Sequence, residues 1–207
     1  LPDYFESGAD KYERGDYAGA IADYSSAIAA SVPNSAPLAP REEGQDHRLF
    51  RAHLVRGMAR TCLRDWSGAL ADFRRACELA PADQDDTRLF IWMCRSRLGE
   101  REAADAELRE FSKNIRPTGS LGEWFSRIAR FLTGGWTEGQ LLQGLEQEDD
   151  EVRENMACVV YFYTGLKRLL SGDEEGGRER LRRCVATGRG YYAEHGWARL
   201  ELERPGR

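Results

Sequence analysis

No apolar run in this chain approaches the roughly 20 residues that span a bilayer. Positive charge is not in surplus either. Asp and Glu number 35 against 30 Lys and Arg, a net charge of -5, so there is no global field to draw nucleic acid. No Gly-x-x-x-x-Gly-Lys-Ser/Thr phosphate loop, His-Glu-x-x-His or Gly-x-Ser-x-Gly occurs. Histidine is scarce: His47, His53 and His195 are the only three, and none sits at ligand spacing from a cysteine. Glu194 and His195 are neighbours, but adjacent side chains on a helix point about 100° apart, so they do not form an acid–base pair. Cys-x-x-Cys is absent. The five cysteines, Cys62, Cys77, Cys94, Cys158 and Cys184, each fall within a helical pattern, where a free thiol behaves as a small buried hydrophobe. No metal, cofactor or catalytic residue is expected from this inventory, and the cysteine usage leans towards a reducing compartment. The opening residues, LPDYFESGAD, hold neither a basic start nor an apolar core, so no targeting segment is expected here.

What the chain does have is paired amphipathic helices. From Phe50 to Pro81, apolar or small residues recur at three- and four-residue spacing through Leu54, Met58 and Cys62, then through Ala69, Phe73, Ala76 and Cys77. Gly57 and Ala69 are small where two helices must approach closely. Asp65 caps the second helix, and Pro81 is expected to end it. Residues 2–30 repeat the arrangement: Gly8, Gly15, Asp16, Tyr17, Ala20, Tyr24, Ala27 and Ile28 stand in the same order and spacing. This order of small, turn, small, aromatic and small positions resembles the tetratricopeptide repeat. Lys11 and Arg60 stand where that family usually has an aromatic residue.

Ala20 and Ala69 correspond, yet they lie further apart than the roughly 34 residues of a plain repeat. The surplus is residues 31–47, whose Pro33, Pro37 and Pro40 exclude a continuous helix and predict an insertion loop. Further pairs are expected at about 86–114, turning at Leu98-Gly99, at about 120–147 and at about 150–187, with a capping helix at about 189–203. Thr137 and Gln140 form a capping-box pattern. The acidic run from Glu146 to Glu151 is expected to cap a helix rather than bind calcium, because the calcium-loop glycine is missing. Arg178, Arg180, Arg182 and Arg183 have no aromatics between them, and Glu174, Glu175 and Glu179 lie close enough to neutralise them, so a solvated face is expected.

The predicted fold is therefore a single all-α domain over residues 1–207. It is a right-handed superhelix of tetratricopeptide helix-turn-helix repeats, an α-solenoid, closed by its terminal helix. In such arrays the first helices line a concave face that binds a peptide or partner protein. By the resemblance that lining comprises Phe5, Tyr12, Arg51, Leu54, Met58, Leu89, Met93 and Ser96. Relatives that grip the acidic tail of heat-shock proteins carry lysine, asparagine and arginine where Phe5, Ala9, Val55, Asp86 and Phe90 stand here, so that mode is not expected.

The segments LFIWMCRSRLGEREAADAEL, EWFSRIARFLTGGWTEGQLL, VVYFYTGLKRLLSGD and AEHGWARLEL occur in this order between Thr87 and Glu203. Together they resemble the distal half of the family of the bacterial lipoprotein NlpI. That resemblance implies a dimeric, non-catalytic adaptor of the bacterial cell envelope, tethered by an N-terminal lipid, that brings proteases or peptidoglycan hydrolases to their targets. The alternative expectation is a cytoplasmic regulatory or assembly scaffold without a membrane anchor.

Overall fold

The computed structural model describes residues 3–31, 45–80, 85–114 and 119–204, and all regular structure among them is helical. The helices are α1 (Tyr4–Glu13), α2 (Tyr17–Ala30), α3 (Gln45–Cys62), α4 (Trp66–Leu79), α5 (Asp85–Arg97), α6 (Arg101–Asn114), α7 (Gly119–Leu132), α8 (Glu138–Glu146), α9 (Asp150–Leu170), α10 (Glu174–Ala186) and α11 (Ala193–Leu202). Residues 32–44, Pro81 and residues 115–118 lie outside the described set, and with them most of the expected insertion loop. The expected boundary of that loop is corrected at one end, because Gln45 to His47 already form the first turn of α3. The chain divides into two compact units, Leu1–Gly99 and Glu100–Arg207. Their boundary falls between α5 and α6, inside the pair expected at 86–114.

Helix starts follow the side chains that cap them. Asp16, Asp65 and Asp173 each accept a hydrogen bond from a backbone N–H three residues on, at 2.9, 2.9 and 3.0 Å. Thr137 and Gln140 exchange both bonds of a capping box at the start of α8. Asp149, within the acidic run, caps α9 through Val152 N–H at 2.9 Å. In the α1–α2, α3–α4 and α9–α10 turns the residue before the cap is left-handed. Gly15 and Gly172 stand at φ 81° and 86°, and Arg64 takes the same conformation at φ 60° in the α3–α4 turn.

Within a pair the helices run antiparallel, since Tyr12 meets Tyr17 near the turn while Gly8 meets Tyr24 further from it. They approach closely because one residue lacks a side chain. A Cβ on Gly8 would lie 3.0 Å from the Tyr24 ring, and one on Gly57 would lie 2.7 Å from Phe73. On Gly165 it would lie 2.9 Å from the carbonyl oxygen of Gly177 and 3.0 Å from Leu181. One spacing thus recurs in α1–α2, α3–α4 and α9–α10. In the first unit, Ala20, Tyr24, Ala52 and Ala59 form a core cluster that joins α2 to α3. In the second unit, α11 packs on α9 and α10, with the Phe162 and Trp197 rings 5.9 Å apart. Arg178 donates to the carbonyls of Leu202 and Arg204 at 2.7 and 3.2 Å, satisfying acceptors that the end of α11 leaves open.

Candidate functional site

The expected lining of the first helices divides into exposed, half-buried and interior positions. Arg51 is exposed, and Leu54 and Met58 are half-buried. Phe5 and Tyr12 are half-buried and pack against the core cluster of the first unit. Phe5 also meets Tyr24 edge-on at 6.1 Å, lies under the Arg48 guanidinium, and borders a cavity of about 260 Å³ near the start of α1. Leu89, Met93 and Ser96 require a correction. They are 1%, 2% and 6% exposed, so they stand in the interior and present nothing to a partner. For Leu89 and Met93 the cause is the middle of α5, where Leu89 to Cys94 are all apolar and all buried, so that this stretch has no polar side to turn outward.

Beside these positions lies a charge cluster built on Asp72, which is 2% exposed. Its carboxylate accepts from Arg56 Nε at 2.9 Å and Nη2 at 2.7 Å, and from Arg60 Nη1 at 2.8 Å. His53 Nδ1 stands 2.8 Å away. Burial pushes the Asp72 carboxyl up, but the His53 and Arg56 hydrogen bonds and the Arg56 and Arg60 charges outweigh it and hold the group below the usual carboxylate range. The first pair repeats the motif at the corresponding positions, where Asp23 accepts from Ser7 at 2.6 Å and Lys11 at 2.7 Å. Lys11 and Arg60 are therefore ion-paired across their helix pairs. Every oxygen of Asp72 is engaged with its own unit, so the cluster serves cohesion.

The second unit contains a larger opening, a groove of about 530 Å³ formed by α8, α9 and α10. Leu142, Leu145 and Glu146 line it from α8, Arg153, Glu154, Ala157 and Tyr161 from α9, and Arg180 and Arg183 from α10. Thr187 and Arg189 complete it just beyond α10. Helical periodicity makes the α9 contribution, since residues 153, 157 and 161 fall on one stripe. Glu138 accepts from Arg168 and Arg180, each at 2.7 Å, and so ties α8 to α9 and α10. Arg183 pairs with Glu179 at 3.3 Å and Arg189 with Glu154 at 2.5 Å, while Arg153 pairs with Asp150.

No protein-family model and no curated protein matches this chain.

The arginine cluster of α10, read from sequence as a solvated face, does three separate things. Arg182 and Arg183 pair with Glu179 on their own helix, as expected, whereas Arg178 holds α11 and Arg180 reaches Glu138. None of the groove residues was singled out for binding by the sequence. His195 Nε2 lies 3.2 Å from the Val185 carbonyl, a geometry in which the ring N–H donates to the backbone. All five cysteines are buried thiols, with the Cys158 and Cys184 Sγ atoms 3.4 Å apart. Burial pushes the Cys94 thiol up to about 12. Among the described residues no three His, Cys, Asp or Glu side chains converge to hold a metal, and no helix is long and apolar enough to cross a membrane.

Proposed function

We propose that this chain is a non-catalytic adaptor, built of tetratricopeptide-type repeats stacked as an α-solenoid, that holds a segment of a partner protein. The observation that carries the reading is the open groove of about 530 Å³ between α8, α9 and α10, within the size range in which proteins seat ligands. The repeated close approach at Gly8, Gly57 and Gly165 supports the repeat assignment. The reading moves the main contact surface away from the first-helix positions. Arg51, Leu54 and Met58 remain as a secondary face, and Phe5 and Tyr12 act mainly by packing.

By its resemblance to the NlpI family, the adaptor belongs to the bacterial envelope, acts as a dimer and recruits proteases or peptidoglycan hydrolases. A cytoplasmic scaffold with the same surface is the second reading. A signal sequence ending in a lipidated cysteine, encoded upstream of Leu1, would decide for the first. The test of function is affinity capture with the wild type, an Ala157→Trp variant that fills the groove, and a Met58→Glu variant. Captured partners are purified and rebound singly. A partner that rebinds wild type and Met58→Glu but not Ala157→Trp supports the reading. Partners held equally by all three proteins, or none at all, refute it.

A further inference from the structure

The second unit holds two of the five cysteines, and these two meet. Cys158 on α9 and Cys184 on α10 are both 0% exposed, with their Sγ atoms 3.4 Å apart. Helical spacing accounts for the meeting. Cys158 stands two turns before Gly165 and Cys184 two turns after Gly177, so the stripes that touch at the glycines touch again at the thiols. The repeat pattern itself does not ask for sulfur there. Counted from Gly57 and Ala69, the same positions of α3 and α4 carry Phe50 and Ala76. A disulfide sets its sulfurs about 2.0 Å apart, so closure asks each of the two to travel about 0.7 Å. The hydrogen bond from Cys184 lowers the Cys158 thiol against the burial that raises it, while the same bond and burial raise Cys184. Cys158 is thus the sulfur that ionises first, and the thiolate is the nucleophile.

We propose that Cys158 and Cys184 are a redox-modification site, joining as a disulfide when the chain folds in the presence of a disulfide oxidant and so clasping α9 to α10. The Cys158 thiolate attacks one sulfur of the oxidant's disulfide, giving a mixed disulfide and releasing one oxidant thiol. Cys184 then gives up its proton and its sulfur attacks Cys158 Sγ, releasing the second oxidant thiol. The two protein thiols lose two protons and two electrons in all, and the oxidant leaves as two thiols. Attack precedes closure of the core, because α11 covers the pair: Cys184 Sγ lies 3.8 Å from the Glu194 carbonyl. The finished bond is shielded by the same helix. In an oxidising envelope compartment the chain carries the bond, and in the cytoplasm it stays a dithiol. The site does not depend on the adaptor reading, since its geometry lies in α9, α10 and α11 alone.

The test refolds the full chain, denatured and reduced, in a mixture of oxidised and reduced glutathione, beside a portion refolded in excess reductant. Remaining thiols are alkylated and the linkages mapped by mass spectrometry. The expected result is a Cys158–Cys184 linkage in most molecules of the first portion and none in the second. Cys184→Ala is the control for stability, because α4 carries alanine at the corresponding position. Reduction should lower Tm by roughly 6–12 °C more in the oxidised wild type than in Cys184→Ala treated alike, as for a closed loop of this length. Recovery of both cysteines as thiols in most molecules, or linkage of either to glutathione or to another cysteine instead, would overturn the proposal. So would a Tm no higher with the bond than without it. The wild-type map decides by itself if the variant fails to refold.

Discussion

Replacing Gly165 by alanine puts one methyl group where α9 and α10 touch. The new Cβ would meet the Gly177 carbonyl oxygen at 2.9 Å, Leu181 Cδ2 at 3.0 Å and Arg180 Cβ at 3.1 Å. The first of these is backbone, so relief requires the two helices to separate by several tenths of an ångström, at a cost of about 1–3 kcal/mol for overpacking. Alanine also gains about 1 kcal/mol of helix propensity over glycine, which opposes the loss. With a backbone atom nearest, the cost lies at the upper end, and the net expectation is a loss of about 2 kcal/mol by the same overpacking range. At 2–4 °C per kcal/mol for a chain of this size, Tm should drop by roughly 4–8 °C. Gly196 in α11 is the control, because a Cβ there meets nothing within 4 Å. Gly196→Ala gains propensity without a clash and should raise Tm by roughly 2–4 °C. Both residues lie in the second compact unit, so one thermal melt followed by the helical circular dichroism signal reads both. A Gly165→Ala protein that melts at or above wild type would refute the claim that a missing side chain sets this helix approach.

Asp72→Asn keeps the shape but removes the charge that Arg56 and Arg60 share, and should cost about 3 kcal/mol in urea unfolding, as for a broken buried ion pair. Because the folded Asp72 carboxyl titrates below its unfolded value of about 3.9, its stabilisation is complete above that pH and is lost as pH falls through the folded value. The wild type should therefore lose Tm below about pH 4, and the Asn variant should lose less over the same interval. The cysteines offer a third check: with all five buried, the native protein should react with a thiol reagent far more slowly than the denatured protein does. Rapid labelling of native protein would contradict their place in the core.

Much of the local architecture was legible because it is encoded locally. Asp16, Asp65, Asp173 and the Thr137–Gln140 pair mark helix starts within four residues, and Gly8, Gly57 and Gly165 mark the close approaches by their lack of a side chain. The site was less legible, and α5 explains part of the reason. Its LFIWMC run has no polar stripe to show which side faces water, so placing Leu89 and Met93 by family register gave them an exposure they do not have. Lys11 and Arg60 stand out in the sequence only as charges at usually aromatic positions, yet the spacing from Lys11 to Asp23 recurs from Arg60 to Asp72. That recurrence was a usable signal for the ion pairs. Helical spacing sets Arg180 beside glutamates on its own helix, whereas its partner, Glu138, lies on α8. The groove needs three helices to meet, and no single stretch of sequence displays it.

The most direct test of the adaptor account is a hydrogen-exchange footprint of the chain alone and with a captured partner. The account predicts slowed exchange over residues 142–161 and 180–189, the segments that wall the groove. Protection confined to α1 and α3, or no change in those two segments while the partner is bound, would contradict it.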